Sequence, residues 1–250
     1  MKRIDWTIWF GGFVGLSAIA GGAWFEGLSF GFLWHPTAAL IVGGGTLGAV
    51  IIRRDIRSLI NAFKAVWRLS LKDEQVETHK VELARLAWLS RSAQKSGVKV
   101  YENHADTCND ALIAQGLILL ADNTDHEQMS QTLTRRLDWE DELGLQDSAT
   151  LEAAGGFAPT FGILGAVIGL IGVLRVLDRP DALGTGIATA FVATIYGIGS
   201  ANLLFFPLAA RLRARHEALM KRREEIARVL LALGTKEMPR AIINQFNLRQ

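Results

Sequence analysis

Cysteine is nearly missing: Cys108 stands alone in 250 residues. An internal disulfide is therefore excluded, and no thiolate metal site can be assembled from this chain by itself. An excess of charge of one sign is missing too. Against 25 Asp and Glu stand 27 Lys and Arg, a formal net charge of +2. That balance argues against a dedicated nucleic-acid surface, where a basic face interleaved with aromatics is expected. Proline is scarce, and none of the five falls between Arg53 and Glu152. A hydrophobic fraction of 50% excludes a disordered chain. That mean conceals a segregation, because charges nearly vanish from four long stretches and crowd into the rest. What remains is a membrane protein with a substantial polar part.

The apolar stretches run from about Ile4 to Phe25, Phe32 to Ile52, Ala153 to Leu177 and Leu183 to Ala210. Each is near the roughly 20 residues that cross a hydrocarbon core of about 30 Å as helix. They are apolar all round, so length and lack of charge identify them rather than periodicity. Trp6, Trp9, Trp24, Phe25 and Trp34 sit at their ends, as interfacial aromatics do. Lys2, Arg3 and the later Ala18-Ile19-Ala20 have the pattern of a signal peptide. The apolar run continues through Phe25, however, and a retained span is expected. Basic residues set the orientation: Lys2 and Arg3 precede span one, and Arg53, Arg54, Arg57 and Lys64 follow span two. Arg211, Arg213, Arg215, Lys221, Arg222 and Arg223 follow span four. The positive-inside rule places both termini and the long middle segment in the cytoplasm. Arg175, near the outer end of span three, is the exception and can snorkel outward.

Between Arg53 and Glu152 the pattern is polar and helical. Leu112, Ile113, Gly116, Leu117 and Leu120 share one helical face, as do Met129, Leu133 and Leu137. Gly97 and Gly144 are expected helix stops. In the tail, Leu212, Leu219, Ile226 and Leu233 repeat at seven residues, a narrow stripe for packing on other helices. The expected fold is an all-α integral membrane protein with four transmembrane helices and a helical cytoplasmic domain. Its expected divisions are residues 1–52, 53–152, 153–210 and 211–250.

Spans three and four carry small residues in register. Ala158, Gly162, Gly165, Gly169 and Gly172 alternate steps of four and three, and Gly186, Ala190, Ala193, Gly197 and Ser200 repeat the alternation. Such seams let membrane helices approach closely where packing must replace the missing hydrophobic drive. Thr185, Thr189 and Thr194 lie in span four, where a hydroxyl ordinarily bonds the carbonyl one turn back. Pro159 and Pro207 lie at matched depth on the cytoplasmic side, and an interior proline tends to kink a helix. No Asp, Glu, Lys or His lies in the interior of any span; His35 sits at the outer edge of span two beside Pro36. Proton relays and ion carriers need an ionisable group at depth. If this chain handles ions, the titrating carboxylate belongs to another chain.

Three stretches are specific: residues 157–172 (FAPTFGILGAVIGLIG), 193–197 (ATIYG) and 202–207 (NLLFFP). With the four-span layout they make essentially the whole chain resemble the MotA/PomA flagellar stator subunits of the MotA/TolQ/ExbB superfamily. The resemblance implies a pentamer around a dimeric single-span MotB/PomB-type partner, which supplies the membrane Asp and a periplasmic wall-binding domain. It implies an inner-membrane location and an encounter with the rotor switch protein FliG. Pro159, Ala166, Thr194 and Pro207 match the family's ion-path positions. Sodium-type members carry Thr where Ala166 stands; Ala166 offers no ligand, so the coupling ion expected is the proton and no cofactor is expected. The family's rotor-facing charges match the stretch from Gln94 to Glu102. Glu102 takes the acidic position, and Gln94 replaces the usual Arg, so Arg91 and Lys95 are the expected basic partners.

A second reading from the same superfamily is an ExbB/TolQ-like energiser of outer-membrane processes, but those relatives have three spans and an outside N-terminus. A metal-dependent enzyme is a third. His104 and Cys108 are one helical turn apart, with Asp106 and His126 nearby in sequence. No Cys-x-x-Cys or His-Glu-x-x-His accompanies them. Gly43-Gly44-Gly45 lacks the following Lys of a phosphate loop, and no catalytic triad is identifiable. An enzyme is not expected.

Overall fold

The computed structural model describes residues 6–27, 31, 34–69 and 75–235, and among them the chain is helical with no strand. Lys2, Arg3, Ile4 and Phe32, and the tail beyond residue 235, lie outside the described residues. Two compact units form. Unit 1 comprises residues 1–72 and 145–214, and unit 2 comprises residues 73–144 and 215–250. The segment expected over 53–152 is thus divided, its first helix and its last residues belonging to unit 1.

Unit 1 holds α1 (Trp6–Phe25), α2 (Pro36–Ala39), α3 (Gly45–Arg53) and α4 (Ile56–Leu69). It also holds the later part of α8 (His126–Leu174), all of α9 (Pro180–Ser200), and the start of α10 (Phe206–Gly234). Among the described residues three helical runs are long and apolar enough to cross a membrane: Pro36–Arg53, His126–Leu174 and Leu183–Gly234. α1 adds a shorter apolar stretch, Phe10–Phe25. Pro36 and Pro180 start α2 and α9 from extended or irregular residues before them; a proline is suited there because its missing N–H has no partner within the helix anyway. Arg54, extended at φ −133° and ψ 150°, ends α3 and turns the chain into α4.

Two π turns interrupt these helices. One, Leu40–Gly44, joins α2 to α3 and includes Gly43 and Gly44. The other, Ala201–Phe205, joins α9 to α10 and contains most of the NLLFFP motif. In an unbroken α-helix the Pro207 ring would strike the carbonyl of Leu203, four residues back. The widened turn just before Pro207, closed by Phe206 N–H to Ala201 O, relieves that clash. Pro159 behaves differently, lying inside α8 with the helix continuing on both sides.

Unit 2 packs α5 (Gln75–Ser96), α6 (Lys99–Ala105) and α7 (Ala111–Ala121) with the first part of α8 and the rest of α10. Its core joins the faces the sequence marks: Leu112, Leu117 and Leu120 from α7, Met129 and Leu133 from α8, Ile226 and Leu233 from α10. Of the expected tail stripe, Ile226 and Leu233 enter this core, whereas Leu212 packs in unit 1 beside Leu151 and Ala209. Gly97 ends α5 at φ +82°, a left-handed stop that favours glycine.

Gly144 corrects an expectation, because α8 runs straight through it. A Cβ there would lie 2.0 Å from His216 Cε1, so this glycine admits the α10 imidazole rather than ending a helix. That imidazole in turn meets Asp141 at 2.8 Å.

A charged cluster ties α7, α8 and α10 together. Asp110 caps α7 by accepting the N–H groups of Leu112 and Ile113 at 2.9 and 3.2 Å. Arg223 donates to both Asp110 oxygens, at 2.9 and 3.3 Å, and to both oxygens of Glu140. Burial pushes the Asp110 carboxyl upward, but the Arg223 guanidinium and the two amide N–H groups outweigh it and hold it below the ordinary value. Burial likewise disfavours the Arg223 charge, and Glu140 and Asp110 overcome that to raise it. Nearby Glu82 goes the other way: burial and the Asp110 charge push its carboxyl up against the pull of His79 and Arg223.

Candidate functional site

The small-residue seams meet. A Cβ built on Gly169 would lie 2.7 Å from Gly186 O and 2.8 Å from Ala190 N, and one on Gly186 would lie 2.8 Å from Gly169 O. One on Gly197 would lie 2.6 Å from Ala158 O and 3.1 Å from Pro159 Cα. Gly165 faces the Ala193 methyl, and Gly162 faces Ala193 O and the backbone of Gly197 and Thr194. The third and fourth apolar spans therefore touch backbone to backbone over about three turns of small residues, the close approach their spacing predicts. The contact ends sooner than expected. Gly172 meets nothing within 4 Å, and Val173, one residue on, takes its place against Gly186. One extra residue turns the helix by about 100°, enough to carry position 172 off the contact.

The expected ion-path residues border this seam. Pro159 backs onto Gly197, and Thr194 onto Gly162. Pro159, Ala166 and Thr194 are all half-buried, where the contact edge opens outward. Their flanks are exposed and apolar: Ile163, Val167 and Leu170 on α8, Phe191, Ile195 and Ile198 on α9. Thr194 Oγ1 donates to Ala190 O at 3.1 Å, the ordinary back-bond. Its oxygen keeps acceptor capacity. Pro207 is exposed beyond the second π turn. The residues that the structure brings together are Pro159, Thr194 and the seam, with Ala166 one turn beyond Gly162.

A polar contact that sequence reasoning missed lies at the other end of α9. His35 Nε2 is 3.2 Å from Thr189 Oγ1, and His35 N–H donates to the Tyr196 hydroxyl at 3.3 Å. Thr189 already donates its proton to Thr185 O at 2.8 Å. Nε2 must then be the donor to Thr189 Oγ1, and Nδ1 is buried with no partner. The signal available was His35 beside Pro36 at a span edge, but nothing in the order of residues pairs positions 35 and 189. Gly45 is another missed contact, its place taken up by the Phe161 ring, which a Cβ would meet at 2.2 Å.

In unit 2 the expected rotor-facing residues share one region. Arg91 and Lys95 lie four apart near the end of α5, and Glu102 follows the Gly97 turn in the first turn of α6. All three are exposed and form no ion pair among the described residues. Trp88, three residues before Arg91 and 54% exposed, packs its ring 5.6 Å from that of His104. An exposed Trp beside unpaired charges suits a protein interface, and the i, i+3, i+7 spacing of 88, 91 and 95 was the readable sign. The residues weighed as metal ligands, His104 and Cys108, are engaged elsewhere: His104 Nδ1 is hydrogen-bonded to Val100 O, and Cys108 Sγ points to Asp110 O. Among the described residues no group of three or more metal-ligating side chains forms.

Comparison with known proteins finds relatives along nearly the whole chain. Residues 104–225 match the model of the MotA/TolQ/ExbB proton channel family, and residues 9–97 match that of the motility protein A N-terminal region. The chain is 29% identical to motility protein A of Bacillus subtilis over 239 residues, covering 96% of this chain and 88% of that one. It is 28% identical to the chemotaxis protein PomA of Vibrio alginolyticus, covering 92% and 87%. The fold matches a chain of the flagellar MotAB stator complex from Bacillus subtilis with a TM-score of 0.81 at 28% identity, over 96% of this chain and 94% of that one. It also matches a chain of C. jejuni MotAB with a TM-score of 0.82 at 24% identity, a likeness of fold.

Proposed function

We propose that this chain, which belongs to the MotA/TolQ/ExbB proton channel family, is the membrane subunit of a flagellar stator that works with a single-span MotB-type companion. The observation that carries the reading is the α8–α9 seam, packed backbone to backbone, whose open edge at Pro159, Ala166 and Thr194 is apolar and holds no carboxylate. A wall of this kind suits an acid supplied by another chain. The companion's Asp sits beside Thr194 and Ala166, takes up a proton from outside, and releases it inward. A neutral acid is far cheaper to hold against apolar walls than a carboxylate, so each protonation changes which surroundings it favours. That change drives the subunits, a pentamer around a companion dimer, to turn and carry Lys95 and Glu102 past the rotor switch protein. The membrane potential supplies about 2.3 kcal/mol per charge per 100 mV. The chain works in the inner membrane with both termini cytoplasmic, and its role is transport and force rather than enzymatic chemistry.

The proton assignment rests on Ala166, which has no oxygen to replace part of a sodium ion's hydration shell. The ExbB/TolQ-like alternative is not favoured, since the motility relatives match along nearly the whole chain. Expressed with its companion in a non-motile strain lacking both stator subunits, the chain restores swimming that persists without sodium and stops on adding a protonophore. Strict sodium dependence overturns the proton assignment. Restored outer-membrane uptake without swimming overturns the stator role.

A further inference from the structure

α4 has three distinct faces, each with its own chemistry. At about 100° per residue, Ala62, Val66 and Leu69 fall on one side; Leu69 is buried, and Ala62 and Val66 pack with Leu151, Ala209 and Leu212. Ile56, Ile60, Phe63 and Trp67 fall on a second, and all four are exposed, Trp67 to 73%. Arg57 and Lys64 fall on a third, next to the exposed apolar row and themselves exposed. A soluble helix buries its apolar row, whereas this one leaves four large apolar side chains uncovered beside a basic row. That is the pattern of a helix lying in a membrane interface.

Its depth is fixed by what it touches. α3 ends at Arg53, only three residues before α4 begins. The partners of Ala62 are Leu151 and Ala209, at the positions where the third apolar stretch starts and the fourth ends. The helix is therefore held at the level where three spans leave the hydrocarbon. Between residues 53 and 69 there are five basic residues and a single acidic one, Asp55. Arg68 among them is close enough to Asp147 in the same unit for its charge to pull that carboxyl down against the upward push of burial. Arg53, Arg54, Arg57 and Lys64 remain for a negatively charged partner.

We infer that α4 is a lipid-docking helix: its Ile56–Ile60–Phe63–Trp67 row enters the acyl boundary of the adjacent leaflet, and Arg57 and Lys64, with Arg53 and Arg54, engage anionic phospholipid headgroups. The charge selects the occupant. An uncharged lipid satisfies the apolar row but leaves the basic row without partners. A second copy facing this helix through the same helix sets basic row against basic row. Tryptophan at the end of the row matches the interfacial preference of that side chain.

The test uses the assembled complex, chain plus companion, in a Cys108→Ser background reconstituted into vesicles of phosphatidylcholine. Each preparation contains either brominated phosphatidylglycerol or brominated phosphatidylcholine at equal mole fraction. A thiol-reactive fluorophore is placed at Phe63→Cys, and at the exposed Asn61→Cys on the far side of the basic row as control. The Phe63 label is expected to be quenched more than the Asn61 label, and more by the brominated anionic lipid than by the neutral one. Arg57→Glu with Lys64→Glu should remove that anionic preference, a loss on the order of tenfold or more, since two attractive charges near the surface become repulsive. Equal quenching by both lipids, or at both labels, overturns the inference, as does a preference that survives the charge reversal. Disulfide cross-linking of two copies through Phe63→Cys also overturns it, since a neighbouring subunit would then cover the face.

Discussion

Substituting alanine along the seam should give three different outcomes, and the structure says which belongs to which glycine. At Gly169 a new Cβ meets Gly186 O at 2.7 Å and Ala190 N at 2.8 Å, with Ala190 Cα at 3.1 Å. All three are backbone atoms and none can rotate away, so α8 and α9 must separate by several tenths of an ångström along several turns. Overpacking of this kind costs about 1–3 kcal/mol, and Gly169→Ala should fall at the upper end. At Gly165 the obstacle at 2.6 Å is only the Ala193 methyl, with Ile41 Cγ2 next at 3.4 Å. Gly165→Ala should be destabilising alone and largely restored by Ala193→Gly, which moves one methyl from one helix to the other. At Gly172 nothing lies within 4 Å, and Gly172→Ala should be neutral or gain up to about 1 kcal/mol from helix propensity. The assay is thermal denaturation of the purified complex in detergent, with soft-agar swimming and membrane abundance measured in parallel. The reasoning fails if Gly169→Ala melts where Gly172→Ala does, or if Ala193→Gly rescues Gly169→Ala as well as it rescues Gly165→Ala.

The charged cluster of unit 2 predicts an acid limb. Arg223→Leu leaves Asp110 and Glu140 without their shared donor and should lower stability by ~2 kcal/mol, read as a lower melting temperature at neutral pH. Asp110 is held below its ordinary value when folded; its contribution is present above the unfolded value of about 4 and is lost as pH falls through the lower folded value. The gap between wild type and Arg223→Leu should therefore shrink below about pH 4, and a gap that stays constant down to pH 2 refutes the linkage. At the proposed rotor face, Lys95→Glu or Glu102→Lys should lower torque in tethered-cell or bead assays and be restored by the opposite reversal on the rotor. Unchanged swimming in both single reversals removes these residues from the contact.

The sequence by itself determined the membrane class, the four apolar stretches and the closeness of spans three and four. These follow from local quantities: run length against bilayer thickness, and small residues repeating at helical spacing. The seam glycines were legible for the same reason, whereas Pro159 and Thr194 were singled out as ion-path positions by the family resemblance. The buried faces of α7 and of the start of α8 were legible because burial follows the 3.6-residue period. Only the tertiary structure decided what depends on residues far apart in the chain. Gly144 looked like a stop because its neighbour His216 arrives from 72 positions away, and Gly172 looked like part of the seam because spacing cannot say where two helices diverge. The π turn before Pro207 is a backbone response to a ring clash that a list of residues does not display. The same holds for α4, read from its composition as a run of orienting positive charge. Its uncovered apolar face emerged only when Leu151 and Ala209 were seen to cover one apolar side and leave the other bare. Periodicity tells which residues of a helix are alike, and packing tells which of them have already found a partner.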